Sequence, residues 1–257
     1  MSRSLPFNMK ILFRKARIWT SAILGAYCLP NIVLAILWWM LCIALPLPYW
    51  TLWLCIAVLS LLIWQKRKRS PLHTAAVKGN TMRVESLIAN GIDVNVQDEM
   101  GLTPLHLAAH AGLRNTAELL IDRAADIDAR SHHELTPLHH ASLENHIEVV
   151  EMLISKAAAI DAMNTLGNTP LHCAAERGHK DIAMSLIAGG SNINAKGNGG
   201  ETPLHRAALN GHKDVVELLI SKGADVHSTD KNGRTPLHCA RMKGHEATVT
   251  ALMRPTV

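Results

Sequence analysis

Apolar residues follow two unlike patterns along this chain, and the change falls near residue 70. From Ile18 to Gln65 there is no charged side chain. Such a run is too long for a buried core helix, and because about 20 apolar residues cross a bilayer it suffices for two spans. Pro46-Leu47-Pro48 supplies the turn between them, since proline removes a backbone donor and restricts the residue before it. The pattern predicts a first helix from Ala22 to Leu45 and a second, short for a full span, from Tyr49 to Gln65. Pro30-Asn31 either kinks the first span or ends an interfacial piece at residues 18–29. Beyond residue 70 the apolar positions come instead in short clusters at helical spacing. A small-residue cluster such as Leu204-His205-Arg206-Ala207-Ala208 predicts a short helix, and Val215-Val216-Glu217-Leu218-Leu219-Ile220 predicts an amphipathic helix after it.

This two-helix unit recurs. Histidines 73, 106, 139, 172, 205 and 238 are each 33 residues apart. Five of them end the tetrapeptide Thr-Pro-Leu-His, at Thr103–His106, Thr136–His139, Thr169–His172, Thr202–His205 and Thr235–His238, after a variant Ser70-Pro71-Leu72-His73. Threonine suits an N-cap, and proline suits the first helical turn, where a missing amide hydrogen costs nothing. Alanine pairs such as Ala108-Ala109 permit close stacking, and Gly112, Gly178, Gly211 and Gly244 end the first helix by tolerating positive φ. The pattern resembles ankyrin repeats. The resemblance covers residues 70–253 and implies an all-α solenoid of stacked helix-turn-helix units with β-turn fingers, here preceded by transmembrane helices. The repeats run over residues 70–102, 103–135, 136–168, 169–201, 202–234 and 235–253. The last is atypical, as an end unit should be, with Arg241 where other repeats carry alanine or Ser142. Three positions depart from the glycine pattern: Asn145 after a first helix, and Ala124 and Ala157 after second helices. The finger Ser131-His132-His133-Glu134 also lacks its glycine, and it is expected to be the least regular.

Charge sharpens the division. The net charge of +5 conceals nine Lys/Arg and no Asp/Glu in residues 1–69, against 17 Lys/Arg and 21 Asp/Glu in the remainder. A nucleic-acid-binding array would carry its own basic face, so the partners expected are a protein and membrane lipid, with no nucleic acid. The chain divides into a basic N-terminal segment (1–17), a two-span hairpin (18–65), a basic linker (66–69) and the repeat domain (70–257). Basic residues flank the hairpin on both sides, which places both termini and the repeats in the cytoplasm. A cleaved signal peptide over the first apolar stretch is the competing reading. Lys66 to Arg69 also fits a nuclear-import cluster, but abutting an apolar helix it reads as a stop-transfer and lipid-contact cluster. Cys173 and Cys239 occupy one position of two repeats, too far apart for a disulfide.

Fifteen histidines invite a metal or catalytic reading. Six belong to the tetrapeptide, where the resemblance implies a structural imidazole bracing the turn. His146, His179, His212 and His245 open second helices, leaving His110, His132, His133, His140 and His227. Their spacing matches no established zinc site, and no nucleophile motif, phosphate loop or HExxH appears, so no metal, cofactor or catalysis is expected. In ankyrin proteins the concave face of fingers and first helices binds other proteins. On that face the fold leaves free Leu107, His110, His140, Leu143, Glu144, Glu176, Arg177, Arg206, Leu209, Asn210, Met242 and Lys243, together with His132 and His133 at a finger tip. Ala111 and Cys173, and the finger residues Glu99, Met100, Thr165, Leu166, Asn198, Lys231 and Asn232, share those positions. The expected function is a membrane-anchored adaptor. The alternatives are a subunit of an oligomeric channel or transport complex, or a secreted host-directed effector; the absence of intramembrane charge weighs against the channel.

Overall fold

Each Thr-Pro pair starts a helix, because proline's fixed φ suits the first turn and threonine stands before it in extended backbone. The computed structural model describes residues 70–253. It shows twelve helices among them, in six pairs: α1 (Pro71–Val77) and α2 (Thr81–Ala89); α3 (Pro104–His110) and α4 (Arg114–Asp122); α5 (Pro137–Leu143) and α6 (Ile147–Ser155); α7 (Pro170–Arg177) and α8 (Lys180–Ala188); α9 (Pro203–Leu209) and α10 (Lys213–Ser221); α11 (Pro236–Met242) and α12 (Glu246–Met253). First helices pack on neighbouring first helices, second helices on second helices, and each first helix on its own partner. No helix among the described residues is long and apolar enough to cross a membrane. The two spans expected over residues 18–65, with the basic segments 1–17 and 66–69, lie outside the described residues.

One continuous core runs through the stack. The tetrapeptide leucines Leu72, Leu105, Leu138, Leu171 and Leu204 are fully buried, as are the alanine pairs Ala108-Ala109, Ala174-Ala175 and Ala207-Ala208. Burying a leucine side chain contributes about 2 kcal/mol, and no single repeat could achieve it, since the covering atoms come from the neighbour. In the last described helix pair His238 and Arg241 are exposed.

Turns carry the positive φ the pattern requires. Asn145 takes φ 62 in place of glycine after α5. Ala124 and Ala157 take φ 65 and 62 after α4 and α6, where Gly91, Gly190 and Gly223 occupy the matching positions. At those three glycines an added Cβ meets nothing within 4 Å, so the alanines suffer local backbone strain alone. The left-handed region costs an L-residue about 1–2 kcal/mol, against the 0.5–1 kcal/mol that glycine loses in chain entropy. Ala157→Gly is therefore expected to raise stability by about 1 kcal/mol, read as a higher urea midpoint at unchanged slope.

The expectation for the finger at residues 131–134 is corrected. Ser131 donates its amide to Leu135 O at 3.0 Å and Glu134 to Ser131 O at 2.8 Å, the pattern of the finger at 98–102. Glu134 itself adopts φ 55 where other fingers use glycine, and its carboxylate pairs with Arg130 at 3.0 Å. The least braced finger is the glycine-rich one at 197–200. Asp98, Asn164 and Asp230 each accept two backbone amides of their own finger, and Ser131 accepts one. Gly197 has no side chain to do so.

Candidate protein-binding groove

Two columns of histidine brace the stack, the first tying each first helix to the end of its own repeat and the second tying each repeat to the one before it. In the first, the tetrapeptide imidazole lies 2.8–3.0 Å through Nε2 from a carbonyl 29 residues ahead: His73 to Leu102, His106 to Leu135, His139 to Asn168, His172 to Glu201 and His205 to Arg234. A carbonyl only accepts, so Nε2 carries the hydrogen and Nδ1 is the acceptor. In the four internal repeats Nδ1 accepts the amide of the preceding threonine at 3.1–3.2 Å and sits 2.9 Å from its hydroxyl. Histidine thus takes the place of glutamate in a capping box and extends it to the end of its own repeat, one residue before the next threonine. Burial keeps these rings neutral, pushing His139 and His172 down to about 4 and lowering His106 and His205.

The second column points backwards. His146, His179, His212 and His245 donate from Nε2 to the carbonyls of His110, Leu143, Glu176 and Leu209 at 2.9–3.1 Å. The rings of His146, His212 and His245 lie against Gly112, Gly178 and Gly211, which end the preceding first helices. A Cβ at Gly178 would come within 2.5 Å of His212 Nδ1, so that glycine is needed for the close approach as well as for its φ of 77. Fingers join in a third way, one backbone hydrogen bond per step: His132 N to Met100 O, Thr165 N to His133 O, Asn198 N to Leu166 O and Lys231 N to Gly199 O, at 2.9–3.1 Å.

The finger stack and the first-helix stack bound a groove, and the expected binding residues fall along it unequally. Leu107 is corrected: it is buried at 5% exposure, and Cys173 at 4%, so neither is offered to a partner. Burial pushes the Cys173 thiol up to about 12, which leaves it unreactive. His140 is largely enclosed. Its ring stands edge-on between His106 and His110, at 5.6 and 5.8 Å. Its Nε2 has no hydrogen-bond partner among the described residues, and burial first, then the neighbouring imidazoles, push the ring down to about 3.

His110, Glu144, Arg177, Asn210, Met242 and Lys243 are exposed, as are His132 and His133 at the finger tip; Leu143, Glu176, Arg206 and Leu209 are half-buried. Adjacent repeats are brought together here, with His110 3.8 Å from Glu144 and Arg206 3.7 Å from Glu176. Met163 was not anticipated. It is 46% exposed at the base of a finger; the tip residues Met100, two fingers earlier, and Leu166 are 53% and 61% exposed. The signal was present in the repeat: Gln97, Arg130, Lys196 and Thr229 occupy the matching positions, and the methionine is the apolar exception. Among the described residues no three His, Cys, Asp or Glu side chains converge as a metal site requires.

Comparison with known proteins agrees with this architecture. The family model described as ankyrin repeats (3 copies) matches residues 55–131, 72–164, 128–197 and 185–256, well over half of the chain. No curated protein matches it.

Proposed function

This chain belongs to the ankyrin-repeat family, and we propose that it is a membrane-anchored scaffold whose groove binds a partner protein at the cytoplasmic face. Ankyrin repeats are modules of protein–protein interaction. The observation that carries the reading is a division of labour within each repeat. The tetrapeptide histidines of the first five repeats, the threonines and the alanines are consumed by capping, stacking and hydrogen bonds to the carbonyl 29 residues ahead. Met100, Leu166 and Met242 are more than half exposed on the groove and no packing interaction of the fold requires them. Single exposed apolar residues are ordinary on a protein surface, but several on one face favour docking. The anchoring half of the proposal rests on the uncharged sequence from Ile18 to Gln65 and its basic flanks, which suit two spans and contact with anionic lipid. The scaffold works without catalysis or cofactor, by holding its partner near the membrane.

Two measurements test the halves separately. After cell fractionation and a carbonate wash, the full chain is expected in the membrane pellet; recovery in the soluble fraction defeats the anchor. Met100→Asp with Leu166→Asp is expected to lower cross-linked partner recovery at least about tenfold, the equivalent of 1.4 kcal/mol, with the unfolding midpoint retained. Undiminished recovery argues against this surface.

A further inference from the structure

We propose that the part of the groove formed by the fourth to sixth repeats takes an acidic peptide segment. The proposal rests on the groove reading above and names the chemistry of the partner. Exposed charge is distributed unevenly along the groove. In the first three repeats it consists of Glu99 and Glu144 against Lys78, with Arg130 paired to Glu134. In the last three, Arg177, Lys231 and Lys243 are exposed and none is in an ion pair with another described residue, while Glu176 is matched with Arg206 and Asp230 with Arg234. Lys196 and Glu201, at the fourth finger, cancel in number. The C-terminal half therefore carries three cations without anions.

Arg206 adds a donor that its own fold satisfies poorly. One terminal nitrogen lies 3.7 Å from the Glu176 carboxylate, the other 3.4 Å from Asn168 Oδ1, and Nε has no acceptor among the described residues. Charge-assisted bonds to guanidinium are normally about 2.7–2.9 Å, so a partner carboxylate offers better bonds than these. Leu209, half-buried, and Met242, at 57% exposure, lie among the cations and supply apolar contact. The cations come from two stacks, Lys231 from a finger and Arg177 and Lys243 from first helices. Charges on both sides of a groove suit an extended acidic segment better than a flat anionic membrane, which meets a single plane.

The test uses the full chain in phosphatidylcholine nanodiscs and a random dodecapeptide library displayed on phage. Selected peptides are expected to be rich in Asp and Glu. Their affinity is expected to fall at least about tenfold on R177E/K231E/K243E and with rising salt, as screening of exposed charge requires. Since none of the three is in an ion pair with another described residue, the variant should keep the unfolding midpoint of the parent. Neutral or basic peptides whose binding is lost on Leu209→Ala and Met242→Ala would overturn the proposal while leaving the groove reading intact. Peptides indifferent to every groove substitution would overturn both. A third outcome also defeats it: phosphatidylserine vesicles sedimenting the parent but not the charge-reversed chain, with no acidic bias in the library, would assign this face to lipid.

Discussion

Replacing His172 with alanine is expected to destabilise the array by about 4 kcal/mol, because it removes three hydrogen bonds and leaves buried groups that are costly to orphan. The imidazole accepts the Thr169 amide, contacts the Thr169 hydroxyl and donates to the Glu201 carbonyl. The first two serve the helix α7 cap; the third ties α7 to the end of its own repeat, the residue just before Thr202. Glutamine separates the two roles. It is a normal third residue of a capping box and can accept the Thr169 amide, but it is too short to reach Glu201. His172→Gln is therefore expected to cost about half as much, roughly 2 kcal/mol. Because repeats are stabilised by their neighbours, alanine should also broaden the transition as the two sides of the array uncouple. Urea unfolding of residues 64–257, a compact unit by itself, followed by far-ultraviolet circular dichroism, reads both effects. Equal losses for the two variants would mean that the bond to Glu201 contributes nothing.

The 33-residue period made the helix pairs and their order legible, since each structural requirement writes a residue at a fixed place: proline at the helix start, leucine in the core, glycine at positive φ. The reach of the histidines was not legible. The tetrapeptide imidazole was understood as bracing its own turn, whereas its second nitrogen bonds a carbonyl 29 residues away, a relation that no local pattern displays. The finger at 131–134 was misjudged because absent glycine was equated with irregular backbone. Its loop closes with the same hydrogen bonds as the others, and Glu134 accepts the unfavourable φ. Leu107 failed as a binding residue for a related reason. Position in the repeat marks which side chains face the groove, but exposure there depends on what the next repeat contributes. At that position Leu107, Cys173 and Cys239 are buried while Arg206 keeps partial access.

The array is expected to lose stability steeply as pH falls from about 6.5 toward 4, before most carboxylates titrate, a window set by the buried histidines. Burial holds His139 and His172 at about 4, with His106 and His205 also lowered. Protonation is opposed geometrically too, since a proton on Nδ1 would face the threonine amide that it now accepts. Above the unfolded value of about 6.5 both states are neutral and the histidines contribute no pH dependence. Below it the unfolded chain takes up protons that the folded chain refuses, so each such histidine removes about 1.4 kcal/mol per pH unit until its folded value is reached. For His139 and His172 that amounts to roughly 3 kcal/mol each by pH 4. The stability lost is that of neutral rings in a folded stack. His139→Gln with His172→Gln should be weaker at pH 7 but less steep between pH 6.5 and 5, by about 3 kcal/mol per unit for the pair. Urea midpoints measured across this range decide the matter. A flat profile down to pH 5 in the parent, or an unchanged slope in the double variant, would show that these rings do not set the acid limit of the fold.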